Sequence, residues 1–73
     1  MKLWLISQTE NLGYDTYDSA IVAAPSASAA RRIHPGSGER ETWVAQKHVM
    51  VKYIGTAAAD IKKGVILSSF RAG

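Results

Sequence analysis

The side chains that catalysis commonly uses are few in this chain, and their spacing forms no pattern typical of a catalytic or metal site. The two histidines, His34 and His48, stand far apart and match no metal-ligand spacing. Asp15 and Asp18 lack the further oxygen ligands that a calcium loop requires. The Ser68-Ser69 pair has no nucleophile-elbow context. We therefore predict a binding protein without catalytic residues, metal or cofactor. A weaker alternative is a small enzyme that uses His34 or His48 together with Asp15 or Asp18.

Binding of an anion is the chemistry that the charge pattern favours. The formal net charge is +3, divided into −2 over residues 1–30 and +5 over residues 31–73. Guanidinium groups form paired hydrogen bonds with phosphate oxygens, and an aromatic face stacks a base for about 1 to 3 kcal/mol. We predict that a nucleotide or nucleic acid binds here, enclosed in an oligomer by arginines of one subunit and an aromatic side chain of another. The predicted ligand-binding residues are Arg31, Arg32, Arg40, Trp43, Tyr14 and Lys47.

Each of these features also has a structural interpretation, and the sequence leaves both open. A basic surface keeps a small domain soluble. Trp43 fits a core or a subunit interface, where large aromatic side chains are common. His34 comes at the end of a predicted helix, where a protonated imidazole meets the negative end of the helix dipole. The Lys62-Lys63 pair before a glycine is typical of a solvated turn.

The elements that would position these residues are two strands, a helix and two more strands. The predicted segments are strand 2–8, strand 17–24, helix 27–34, strand 48–54 and strand 65–70. The first two strands form a hairpin whose long loop carries Leu12 and Tyr14, and Ser26 is the expected N-cap of the helix. The fold class is α+β: a single small ββαββ domain, residues 1–73, with a mostly antiparallel sheet and one helix packed on a face.

Two connections are less regular. Residues 35–41 hold two glycines and no apolar residue, which predicts a linker or mobile loop. This glycine stretch follows the helix instead of preceding one, so it lacks the context of a phosphate-binding loop. Residues 56–63 fit either one helical turn or an irregular connection.

Size and composition limit the sources of stability. A chain of 73 residues buries about 60% of its unfolded surface, and without cysteine no disulfide compensates for the thin margin. Homo-oligomerisation would supply the missing stability. The absence of cysteine suits a reducing cytoplasm, and no apolar stretch reaches the roughly 18 to 20 residues of a membrane-spanning helix.

Several stretches of the chain resemble a family of small proteins encoded by bacteriophages and prophages. They are GYDTYDSAIVAA at residues 13–24, ARRIHP at residues 30–35, Trp43-Val44 and GVILSSFRAG at residues 64–73. The family brings no assigned activity, cofactor or site residues, but phage accessory proteins of this kind often act stoichiometrically on host machinery. The resemblance implies a non-catalytic counter-defence protein of the host cytoplasm that binds or sequesters an anionic target. The alternative is a protein inhibitor of a host defence complex, similar in kind to anti-CRISPR proteins, acting through the Tyr14 loop, Trp43 or a strand edge.

Overall fold

Four antiparallel strands form one sheet in this protein. The structure, a computed structural model, describes residues 1–36 and 43–71, without the side chain of Arg71. The strands are Lys2–Ser7 (β1), Thr16–Ala24 (β2), Met50–Thr56 (β3) and Gly64–Arg71 (β4). Their order across the sheet is β3-β1-β2-β4, and every neighbouring pair is antiparallel. Together with one short helix, this confirms the α+β class with a mostly antiparallel sheet.

The short helix α1, Ala27–Arg31, begins where the sequence indicates and ends early. The hydroxyl of Ser26 accepts a hydrogen bond from the Ala29 amide at 3.2 Å, which confirms the predicted N-cap. The next amides, of Arg32 and Ile33, bond three residues back in tight turns, and the predicted end at His34 is wrong. Pro35 explains the difference, because a residue that precedes proline is pushed out of the helical conformation.

A second helical element, the 3₁₀ helix Gln46–His48, precedes β3 and was not predicted. β3 therefore starts at Met50 instead of His48, and it continues through Gly55 to Thr56. The pairing register with β1 shifts near this glycine, whose φ of 157° suits a residue without a β-carbon. Neither helix in the described residues is long and apolar enough to cross a membrane.

One face of the sheet carries the hydrophobic core. Trp4 and Ile6 alternate inward on β1 and face Val22 on β2, while Ala30 of α1 closes over them. The indole Nε1 of Trp4 donates a hydrogen bond to the Ala24 carbonyl at 3.0 Å, so this buried polar atom is satisfied. Small alanine side chains let α1 lie close to the sheet. The core cluster is Trp4, Ile6, Ala20, Val22, Ala24, Ala30, Trp43 and Val49.

The topology gathers most candidate residues at one end of the sheet. β1 ends at Ser7, which pairs with both Ser19 and Met50, so the β1–β2 loop and the start of β3 lie together. α1 starts at the opposite end and returns across the core face towards this end. The β3–β4 connection lies at the far end, where the Ala57 amide bonds the Met1 carbonyl at 2.8 Å. That connection is irregular, which was one of the two alternatives predicted for residues 56–63.

Candidate functional site

A groove separates the end of α1 from the segment that leads into the 3₁₀ helix. Residues 31–34 form one wall and residues 43–46 the other, around two adjoining cavities of about 250 and 210 Å³. Three of the predicted ligand-binding residues, Arg31, Arg32 and Trp43, line the larger cavity. We call this feature the Arg32 groove. It brings together stretches that the sequence separates by the glycine-containing connection.

Arg31 has a structural role at the base of the Arg32 groove. Its guanidinium donates a hydrogen bond to the Val49 carbonyl and a longer one, 3.5 Å, to the Gln46 carbonyl. These carbonyls belong to the first residue of the 3₁₀ helix and to the residue that follows it, so one side chain fastens that helix to α1. Hydrogen bonds with a charged partner contribute about 1.5 to 3 kcal/mol each. Arg31 therefore holds the two walls of the groove in place through its guanidinium group.

Trp43 forms the floor of the groove from inside the core. Only 6% of its surface is exposed, and it belongs to the core cluster. This burial fits the core interpretation that the sequence left open, since a stacking platform needs an exposed ring face. A ligand in the groove would meet little more than the edge of the indole.

Exposed Arg32 and half-buried His34 form the polar rim of the groove. The His34 ring meets the Tyr17 ring edge-on at 6.2 Å between centroids, and its Nδ1 accepts a hydrogen bond from the Gly36 amide at 2.9 Å. Tyr17 approaches Gly36 so closely that an added β-carbon would lie 2.6 Å from Tyr17 Cζ. These contacts fix the turn after α1, in which His34 lies three residues beyond Arg31, the last residue of the helix.

The remaining predicted residues lie outside the groove lining or outside the described part of the chain. Lys47 is exposed on the 3₁₀ helix, directly after the lining residue Gln46. Tyr14 is 74% exposed on the β1–β2 loop, at the same end of the sheet. Arg40 falls outside the described residues. Within one subunit, the structure therefore groups three of the six predicted residues.

The β1–β2 loop is held from below by two buried polar residues. The amide of Gln8, a residue only 3% exposed, donates hydrogen bonds to the carbonyls of Asn11 at 2.7 Å and Tyr17 at 2.9 Å. Its oxygen accepts from the Asn11 amide at 2.7 Å. Thr16, 4% exposed, donates to the Gly13 carbonyl at 2.7 Å. The loop thus has a defined shape without apolar packing of its own.

This arrangement presents two apolar side chains to the solvent. Leu12 is 57% exposed and Tyr14 74% exposed at the loop tip. Asp15 adopts a φ of 60°, a conformation that aspartate tolerates better than most residues. Gln8 could have been found from the sequence, because it follows Trp4 and Ile6 at an inward position where a polar side chain needs a partner.

Acidic and basic residues meet at this end of the sheet. Glu10 Oε1 lies 3.7 Å from His48 Nδ1, which joins the loop to the 3₁₀ helix across the surface. One residue of the acidic half of the sequence therefore meets one residue of its basic half at this end of the sheet.

No group of three histidine, aspartate or glutamate side chains that would hold a metal ion occurs within residues 1–36 and 43–71. Comparisons with protein-family models, curated proteins and solved structures give no match for this chain.

Proposed function

We propose that this protein is a non-catalytic, phage-derived counter-defence protein that sequesters a phosphorylated ligand in the Arg32 groove, in the host cytoplasm. The observation that supports the proposal is the convergence of Arg31, Arg32 and Trp43, chosen from sequence for anion binding, on one groove. We further propose the ββαββ order, with α1 packed on one face of the sheet, as the arrangement that positions this groove.

The size of the groove favours a nucleotide over a long single strand. Its larger cavity is about 250 Å³, just below the range of typical ligand sites, which is about 300 to 1,000 Å³. Exposed Arg32 offers a planar fork of N–H donors that matches two phosphate oxygens. Lys47 is exposed and directly follows the lining residue Gln46. A base would then rest against the edge of Trp43 and the aliphatic side chain of Val44.

Replacing Arg32 with alanine should weaken nucleotide binding by about 10- to 100-fold, because the charge-assisted hydrogen bonds lost contribute about 1.5 to 3 kcal/mol. The melting temperature without ligand should not change, since Arg32 is exposed. Isothermal titration calorimetry with cyclic and linear nucleotides measures the first effect. Lys63→Ala is the matched control, because it removes one exposed positive charge at the opposite end of the sheet.

A thermal-shift screen with the same nucleotides is the experiment that could contradict nucleotide binding most directly. A ligand at 100 times its dissociation constant stabilises its protein by about 2.7 kcal/mol, which raises the melting temperature visibly. If no nucleotide does so at concentrations about 100-fold above a micromolar affinity, the proposal is wrong. If oligonucleotides bind and nucleotides do not, the ligand is nucleic acid instead of a nucleotide.

The β1–β2 loop favours a second candidate function, inhibition of a host defence complex by protein–protein contact. Hot spots of protein interfaces are enriched in aromatic anchors, and a loop ordered in advance loses less entropy on binding. Tyr14 on a loop fastened by buried Gln8 meets both conditions. Here the ligand is a protein surface with an apolar pocket, and the Arg32 groove has no part in the contact.

Replacing Tyr14 with alanine should then weaken the protein complex by about 2 kcal/mol or more, roughly 30-fold, with the folded state unaffected. The measurement is recovery of a stoichiometric partner from bacterial lysate after nuclease treatment at moderate salt, followed by titration with the purified partner. Tyr14→Phe should retain most of the affinity because it keeps the ring. Equal recovery by wild type and Tyr14→Ala would exclude the loop as the contact.

A further inference from the structure

The middle of the sheet face opposite the core cluster is exposed to solvent in the described part of the chain, whereas Ala23, further along β2 on the same face, is buried. Register places one side chain from each strand in a row across it, in the order Lys52, Leu5, Ile21 and Leu67. We call this surface the open face. Leu67 is 65% exposed, while Leu5 and Ile21 are half-buried, so a mostly apolar row meets the solvent. Exposed apolar patches of this kind mark interaction surfaces.

The open face combines a protruding side chain with a depression beside it. A groove of about 250 Å³ lies between β1, β2 and β4, with Leu5 and Ile21 at its apolar side and Ser19 and Ser69 at its polar side. Leu67 lines it and extends outwards at the β4 edge. A knob next to a hole on one patch is what a two-fold interface requires, because each copy inserts the knob into the hole of the other.

Charge and composition also fit contact between identical surfaces. Lys52 is the one charged member of the row, and it lies on the edge strand β3, where it would stay at the hydrated rim. The centre of the face is apolar, with serine hydroxyls that form hydrogen bonds with either polarity. Two copies can therefore pack this face without burying like charges against each other.

The area of the open face approaches what a specific dimer needs. Strands of 6 to 9 residues rise about 3.3 Å per residue, and each of the four strands takes up about 4.8 Å of the width of the sheet, so the face is about 25 Å by 19 Å. Two such faces enclose about 950 Å² before protruding side chains are counted, close to the roughly 1,000 Å² expected of a biological interface. The core is small, since Ile6 and Val22 are the only large fully buried side chains among the described residues, so such burial gives a clear energetic benefit.

We infer that the open face is a homodimer interface, in which the sheets of two copies stack with Leu67 of each seated in the groove beside Ile21 of the other. The contact lies on the opposite side of the sheet from the core cluster on which the Arg32 groove is built. Dimerisation and nucleotide binding can therefore be tested separately.

Sedimentation equilibrium of the full chain tests the inference. Wild type should have twice the monomer mass of 7.9 kDa at micromolar concentration. Leu67→Asp should raise the dimer dissociation constant at least about 100-fold, because it buries an unpaired carboxylate in each half of the interface. Leu12→Asp is the matched control, since it changes an equally exposed leucine, 57% against 65%, away from the open face. It should remain dimeric. A monomeric wild type, or a dimer that survives Leu67→Asp, would overturn the inference.

Hydrogen exchange separates face packing from pairing of two β4 edges. β4 is an edge strand without a charged residue between Gly64 and Phe70, and such strands can pair with another chain. In the stacked dimer, the β4 amides that point away from β2 stay open to water and exchange as fast as in the Leu67→Asp monomer. Strong protection of those amides in wild type would mean edge pairing and would refute stacking through the open face.

Discussion

Replacing Trp43 with alanine should lower the free energy of unfolding by about 3 to 5 kcal/mol, the usual loss when a large buried aromatic side chain is removed. Trp43 is 6% exposed and contacts the core cluster, so the deletion leaves a cavity under the Arg32 groove. A domain of 73 residues is stable by about 4 to 11 kcal/mol. The variant should therefore unfold at a much lower urea concentration than wild type, and at the low end of this range it would be close to unfolding at room temperature.

Urea denaturation followed by circular dichroism measures this loss, and fluorescence then reports on the single remaining indole, Trp4. Tyr14→Ala is the control, because it deletes an aromatic side chain that is 74% exposed and should change stability by less than about 0.5 kcal/mol. A Trp43→Ala variant that keeps its stability and loses nucleotide binding would instead make Trp43 a stacking platform.

Replacing Gln8 with alanine should cost about 2 to 3 kcal/mol of stability and disorder the β1–β2 loop. The change removes the hydrogen bonds that Gln8 forms with the Asn11 amide and with the carbonyls of Asn11 and Tyr17, while the Asn11 carbonyl keeps a longer bond from the Thr16 hydroxyl at 3.4 Å. Urea denaturation measures the stability, and hydrogen exchange at the Asn11 amide measures the order of the loop. Exchange should become at least about tenfold faster.

Gln46→Ala is the matched control for Gln8, since it makes the same chemical change at an exposed position of the 3₁₀ helix. Its effect should stay within about 0.5 kcal/mol. Unchanged exchange at Asn11 in Gln8→Ala would show that the loop keeps its shape without the buried amide. The second candidate function would then lose its structural basis, while the Arg32 groove would be unaffected.

Local signals in the sequence carried the elements of the fold. The side chains of β1 are apolar at Leu3 and Leu5 as well as at Trp4 and Ile6, a pattern typical of a strand inside a sheet or of one with both faces covered, and β1 lies between β3 and β2. The cap at Ser26 is equally local, since it depends on bonds within one helical turn. Such features are legible because the interacting residues are neighbours in the chain.

The features that depend on distant contacts could not be predicted. The 3₁₀ helix is held against α1 by the hydrogen bond that Arg31 donates to the Val49 carbonyl, and no local sequence pattern predicts that bond. The pairing of β4 with β2 brings Phe70 against Tyr17, with ring centroids 4.8 Å apart. The composition identified arginines and aromatic residues as candidates, but only tertiary packing decides that Trp43 is buried while Arg32 remains exposed.

The strand order also has a consequence for how the protein folds. The central hairpin closes locally, whereas both outer strands pair over long separations, with Thr16 opposite Arg71 more than fifty positions later. The chain loses the entropy of closing such a long loop before the contacts between these strands form, so folding should be slow for a chain of this size. Until β4 docks, the edge of β2 is open to other chains, and rapid refolding at high concentration should favour aggregation over the native sheet.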